Sequence, residues 1–276
     1  MRDHVRRGWT GWLVGIPVLV TLTAISLWGC GSSKPPPVPS ARDGFDSAMR
    51  LYDRSKWEDA RLAFETVVFN HPGSTIVDSA QYMLAMCYFR QKDPILAASE
   101  FERLHAHYPT SELVDDADYM RGLCLVEAAP SHTGLDQEKT REAVNELKIF
   151  KDNHPLSEYV PKVDSLLSES YRVLSQKDFD TGRLYMKLGH PESARIYFQG
   201  LIDQYPESPL VPDALYYMAE GQRKLDSLDN AVEYYEKIIY LYPDNDRADK
   251  ARKRVAKIAR QRAEDTQSAG AAADDN

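Results

Sequence analysis

Residues 60–74 read ARLAFETVVFNHPGS, and the spacing inside this stretch decides the fold. An alanine is followed four residues later by a large apolar residue, twelve residues later by a proline, and two beyond that by a capping residue: Ala60, Phe64, Pro72, Ser74. The same spacing returns as Ala97/Phe101/Pro109/Ser111, Ala143/Leu147/Pro155/Ser157, Ala194/Phe198/Pro206/Ser208 and Ala231/Tyr235/Pro243/Asn245. Positions four apart share a helical face, so each alanine admits a close neighbour helix and each large residue fills the gap one turn on. The proline cannot donate a backbone hydrogen bond and stops that helix. The serine or asparagine after it is expected to cap the next one.

This phrase resembles the second half of a tetratricopeptide repeat, a helix-turn-helix unit of about 34 residues. The small residue of each first helix then falls at Ala48, Ala85, Gly122, Gly182 and Ala219, with Leu51, Tyr88, Leu125, Tyr185 and Gln222 three residues further on. Only the third copy requires a gap, at residues 128–140 (AAPSHTGLDQEKT). The expected fold is all-α, a solenoid of five repeats at about 41–74, 75–111, 112–157, 158–208 and 209–245, closed by a capping helix over 246–262. Such arrays bury a core between neighbours and leave a concave binding face. Residues 263–276 carry alanine and acid without an apolar pattern and are expected to be disordered.

The N-terminus indicates location. Residues 1–29 read as a secretory signal, with Arg2, Arg6 and Arg7 ahead of an apolar run from Trp12 to Leu27 that is short for a membrane span. It ends in Leu27-Trp28-Gly29-Cys30, which resembles the lipobox of bacterial lipoproteins and implies lipidation of Cys30. In such proteins aspartate after the cysteine retains the chain in the inner membrane, so Gly31 implies the outer membrane and a periplasmic face. The stretch GSSKPPPVPS (31–40) reads as an extended tether at about 3.1 Å per residue.

The chain has 42 acidic against 34 basic residues and a net charge of −8, and losing the signal's three arginines makes it more acidic; nucleic acid is an unsuitable partner. Cys87 and Cys124 occupy equivalent places in adjacent repeats. Stacked helices lie roughly 8–10 Å apart, which favours two buried thiols over a disulfide. No nucleophile elbow, phosphate loop or zinc signature occurs. His71, His107 and His154 sit near the repeat prolines at helix ends, and His105 and His107 cannot share a helical face. No enzyme, metal or cofactor is expected; binding is.

The fifth position of each first helix, which faces the groove in tetratricopeptide repeats, is Phe45, Tyr82, Tyr119, Phe179 and Tyr216. This stripe reads equally as a binding surface or as packing between successive first helices. Beside it stand Met49 and Tyr52 in the first repeat and Met86 and Phe89 in the second, an apolar end suited to an extended hydrophobic peptide. In the fourth and fifth repeats Arg183, Glu220 and Arg223 replace them, a charged end suited to a folded partner. The helix from Asp246 to Arg262 has Ala248, Ala251, Val255 and Ile258 on one face and cations around the rest. It is either a solvated cap or a basic docking surface.

Lipobox, tether, five repeats and one insertion, with Tyr119-Met120-Arg121-Gly122-Leu123 and Trp57 near Ala60, resemble the BamD family of lipoproteins, which serve the outer-membrane β-barrel assembly machine. The resemblance implies that the N-terminal repeats bind unfolded outer-membrane proteins and the C-terminal repeats bind a POTRA domain of a BamA-like barrel. A pilotin-like escort of secretins, or a scaffold recruiting a cell-wall enzyme, would share the signal and repeats.

Overall fold

Each alanine of the repeated phrase, and each large residue four positions on, is fully buried: Ala60, Ala97, Ala143, Ala194 and Ala231 with Phe64, Phe101, Leu147, Phe198 and Tyr235 are all 0% exposed. The computed structural model describes residues 39–274. The signal, Cys30 and the tether as far as residue 38 lie outside the described residues.

Among the described residues there are eleven α-helices and no strand. They are α1 (Ala41–Asp53), α2 (Trp57–Asn70), α3 (Val77–Arg90), α4 (Pro94–His107), α5 (Val114–Ala128), α6 (Glu138–Asn153), α7 (Val160–Lys187), α8 (Pro191–Gln204), α9 (Val211–Lys224), α10 (Leu228–Leu241) and α11 (Asp246–Asp274). Consecutive helices pack on one another, and α1 touches α3, α5 touches α7, α7 touches α9 and α9 touches α11. This is the all-α tetratricopeptide architecture. Its buried residues fall into four clusters along the stack: α1–α3, α3–α6, α5–α8, and α7–α11.

The prolines act as their chemistry requires. The second helices give way at His71, Tyr108, His154, Tyr205 and Tyr242, each directly before a proline, with φ between −133° and −126°. A residue preceding proline is pushed out of the helical region.

The four serines behave differently from the N-caps expected of them. Ser74, Ser111, Ser157 and Ser208 accept from the backbone N–H two residues on, at 3.4, 3.2, 3.0 and 3.3 Å. Each serine carbonyl also accepts from the residue three on, as from Val77 at 3.2 Å. The hydroxyl therefore closes a turn of its own, and the helix starts three residues later. Only Asn245 directly abuts its helix, accepting from Arg247 N at 2.9 Å.

Two glycines are required by close approach. A Cβ on Gly122 would lie 2.7 Å from Leu147, and one on Gly182 would lie 2.6 Å from the Phe198 ring. In these two repeats the first helix presses so hard on the large residue of its partner that even alanine does not fit. Three turns inside helix pairs instead place a non-glycine residue at positive φ: Ser55, Lys92 and Asp226.

Two expectations are corrected. The third repeat's loop between α5 and α6 is one irregularity, but a second lies in the fourth repeat: α7 has 28 residues where α3 has 14. The added length is close to four whole turns, so the downstream residues keep their helical phase and the extension leaves the local pattern undisturbed. Secondly, α11 runs on to Asp274 instead of giving way to disorder after Arg262. Residues 263–274 lack large apolar side chains, but five of the twelve are alanine, a strong helix former that extends a helix already nucleated by packing.

Candidate functional site

The aromatic stripe packs chiefly within helix pairs, and less between successive first helices. Each ring meets the second helix of its own pair: Phe45 on Phe64 at 5.5 Å, Tyr82 on Phe101 at 5.3 Å, Phe179 on Phe198 at 5.8 Å and Tyr216 on Tyr235 at 5.8 Å. The third repeat carries Leu147 in place of an aromatic, and Tyr119 leans on Phe150 at 6.4 Å. Phe179 is buried, 6% exposed, whereas Phe45, Tyr82, Tyr119 and Tyr216 are half-buried and keep an edge in solvent.

At the N-terminal end these edges form a surface. Met49 and Tyr52 border the first cluster, and Tyr82, Met86, Phe89 and Met120 border the second, all half-buried. Tyr52 packs edge-on to Trp57 at 4.8 Å, and its hydroxyl accepts from Arg90 Nε at 3.2 Å, tying α1 to α3. Tyr119 stacks on Tyr159 at 4.2 Å with the planes 7° apart, and Lys162 Nζ stands 4.7 Å from the Tyr159 ring. The Tyr159 hydroxyl donates to Asp116 at 2.5 Å. Burial pushes the Tyr82 phenol up to about 12, with the Asp116 carboxylate and Tyr52 adding to the shift, and burial also raises Tyr119. These phenols are therefore protonated at neutral pH, donors set among methionine and aromatic edges. Such a surface can hold an extended apolar peptide and bond its carbonyls.

At the C-terminal end the candidate charges are already engaged. Glu220, with a side chain only 13% exposed, accepts from the Tyr235 hydroxyl at 2.7 Å and pairs with Arg223 at 3.0 Å and Arg254 at 2.8 Å. Burial alone would raise its carboxyl, but the hydrogen bonds from Tyr235 and Arg223 and the two guanidinium charges hold it below the ordinary value. Arg183 lies 5.8 Å over the Phe179 ring and near Asp180. Tyr216 lies under Arg247, 4.8 Å away, which itself pairs with Asp213. Of the residues expected to dock a partner, Tyr216 and Glu220 thus join α9, α10 and α11 to one another.

Three features escaped the sequence reading. Asp118, 9% exposed, receives His105 Nδ1 at 2.9 Å and His154 Nε2 at 2.8 Å, joining α4, α5 and the end of α6. The signal was its register: the residue before the stripe aromatic is also a buried polar group in the second repeat, where Gln81 donates to Glu100 at 2.7 Å. Tyr159 was missed because it precedes the extended part of α7, outside the repeat register. The same extension produces a notch of about 780 Å³ between α6, α7 and the turn after α8, lined by Lys148, Leu167, Tyr171, Tyr205, Pro206 and Pro209. Its signal was the 25-residue interval from Ser157 to Gly182, against 11 from Ser74 to Ala85.

Cys87 and Cys124 are free and buried, and burial pushes both thiols up to about 12. Among the described residues no group of three or more histidines, cysteines or acids could hold a metal ion, and no helix is long and apolar enough to cross a membrane.

Comparison with known proteins gives a family match over most of the described chain. A family profile described as "YfiO: Outer membrane lipoprotein" matches residues 39–233. The outer membrane protein assembly factor BamD of Rickettsia prowazekii (strain Madrid E) is 25% identical over 206 residues, spanning 73% of this chain and 80% of that protein. Among solved structures, the TPR2AB-domain:pHSP90 complex of yeast Sti1 covers 79% of this chain with 83% of its own, at 14% identity and a TM-score of 0.40. A thermophilic TPR protein of Thermus thermophilus covers 79% with 100% of its own, at 15% identity and a TM-score of 0.33.

Proposed function

The chain belongs to the YfiO family of outer membrane lipoproteins, and from that premise we propose that it is a non-catalytic scaffold of outer-membrane β-barrel assembly, lipidated at Cys30 and facing the periplasm. Unfolded outer-membrane proteins dock on the N-terminal repeats. The C-terminal repeats hold a POTRA domain of a BamA-like barrel, and no cofactor or nucleotide takes part. The assignment to assembly rests on the related assembly factor of Rickettsia prowazekii. The observation that carries the division of labour is the half-buried row of Phe45, Met49, Tyr52, Tyr82, Met86, Phe89 and Tyr119, which has apolar edges and phenol donors to offer.

In this reading a peptide with alternating aromatic residues adds its backbone carbonyls to the phenols of Tyr82 and Tyr119 and seats its side chains between the methionines. The opposite end presents Arg183, Tyr216, Glu220 and Arg223 around the buried Phe179, with α11 bracing Tyr216 and Glu220. Because its charges are compensated internally, this end offers a rigid shape instead of free charge. Titrating a fluorescent aromatic-rich peptide against the protein tests the first half. The variant Tyr82→Ala with Met86→Ala is expected to bind at least tenfold more weakly with unchanged helicity; equal affinity would remove the groove from the account. Mass spectrometry of what co-purifies from mild detergent tests the second. A POTRA-bearing barrel supports it, while a secretin or a cell-wall enzyme without that barrel overturns it.

A further inference from the structure

The cations of α11 fall into two sets. Arg254 and Arg262 reach Glu220 at 2.8 Å and Asp229 at 2.7 Å, and Arg247 reaches Asp213, so these three clamp the helix to α9 and α10. Arg252 pairs with Asp249 one turn back at 2.7 Å. Lys250, Lys253, Lys257 and Arg260 are exposed and, among the described residues, make no ion pair. At 3.6 residues per turn these four fall within roughly 80° of arc, and the arc points away from the buried face of Ala248, Ala251 and Ile258. They run about 15 Å along the helix. Asp246 and Glu264 stand at the two ends of the stripe, leaving it net positive on a chain whose net charge is −8.

We infer that this stripe lies against an anionic phospholipid surface, with the lysines and Arg260 on headgroup phosphates. Three observations favour lipid over an acidic protein. The stripe is flanked by Asp249, Ala256 and Gln261, and α11 contains no aromatic residue, so it lacks the buried anchors from which specific protein interfaces draw most of their energy. Lysine predominates, a flexible point charge suited to a fluid surface and less so to one fixed carboxylate geometry. The chain's family is that of outer membrane lipoproteins, so a bilayer surface is within reach of its working position. An acidic body carrying one basic stripe turns that stripe toward negative lipid, so the contact orients the repeats as well as adding affinity. The inference does not depend on which peptide or partner the repeats bind.

The test uses the full lipidated chain reconstituted in vesicles, with a fluorophore on Gln261→Cys and quenchers attached to the lipid acyl chains. Gln261 is exposed and borders the stripe, and the native Cys87 and Cys124 are buried from the label. Quenching is expected in phosphatidylcholine vesicles containing phosphatidylglycerol, with little in phosphatidylcholine alone, and high salt should relieve it. Lys253→Gln should shift the ratio of membrane-bound to free helix by about fivefold, and K250Q/K253Q/K257Q/R260Q should abolish the difference between the vesicles. Circular dichroism confirms that this surface variant remains folded. Equal quenching in both vesicles, or full quenching retained by the quadruple variant, overturns the inference. So does a label unquenched by lipid but shielded when an acidic assembly protein is added, which would give the stripe to that protein.

Discussion

The two ends of the repeat array start from the same five-fold aromatic stripe and finish with opposite surfaces. In the first two repeats the neighbours of the stripe are methionine, tyrosine and phenylalanine, which remain half-buried because no further helix covers them. In the fifth repeat the neighbours are Glu220 and Arg223, and α11 lays Arg247 over Tyr216 and pairs Arg254 with Glu220. Within a charge pattern that reads in one dimension as an outward-facing docking set, Glu220 is in three dimensions part of the latch of the terminal helix. Charge next to a groove thus identifies a binding surface only where no later element of the chain can reach it.

Four experiments would break or sharpen that contrast. The largest effect is expected from Phe198→Ala, which empties the site pressed against Gly182 and should cost about 3–5 kcal/mol. Because neighbouring repeats share nearly all contacts locally, hydrogen exchange should accelerate in α7–α11 while α1–α4 stay protected. Uniform acceleration would mean that the two ends are one cooperative unit.

Glu220→Gln comes next, at about 2–3 kcal/mol, because it removes a buried charge on which two arginines and a phenol converge. It also has a pH signature. The folded carboxyl is held below its ordinary value of 4.5, so its stabilisation is fully present above that pH and is lost as pH falls through the lower folded value. Urea midpoints of the native protein should therefore drop in that acid range relative to those of the Gln variant. Parallel curves would show that the latch contributes nothing.

Third, Tyr82→Ala with Met86→Ala should weaken peptide binding at least tenfold, about 1.4 kcal/mol, whereas Arg183→Ala with Arg223→Ala should leave it unchanged. The reverse ranking would exchange the roles of the two ends. Smallest of all, Lys92→Gly and Asp226→Gly relieve a non-glycine residue at φ 65° and 58° and should each raise stability by up to about 1 kcal/mol. Equal gains at the two ends would show that the turns inside the helix pairs are equivalent even though the surfaces around them are not.

The fold was largely legible because its determinants are local and repeated. Ala60 and Phe64, or Ala194 and Phe198, need only helical periodicity to be recognised as interior, and Pro72 or Pro206 needs only its missing N–H to end a helix. The caps were read one turn too early: a serine hydroxyl closing its own turn and a serine capping a helix have the same sequence signature. The lengthening of α7 was hidden by its size, since four whole turns preserve helical phase. Of the candidate site, the positions of the stripe were visible in the chain, but the stacking of Tyr119 on Tyr159 and the bridging of His105 and His154 by Asp118 were not. Each joins segments whose proximity depends on how α4, α5, α6 and α7 stack.

By itself the sequence determined the repeat, the buried face of every helix and the stops between them, because those depend on spacings of four and twelve residues and on proline chemistry. Only the tertiary structure decided which exposed-looking groups are free. The carboxylate of Glu220 is neutralised by arginines 3 and 34 residues away, whereas Lys250, Lys253, Lys257 and Arg260 make no ion pair among the described residues because their arc points away from the buried face of α11. Whether a charge is spent or available depends on distances through space, and in a stacked array those are set by the packing of whole helices.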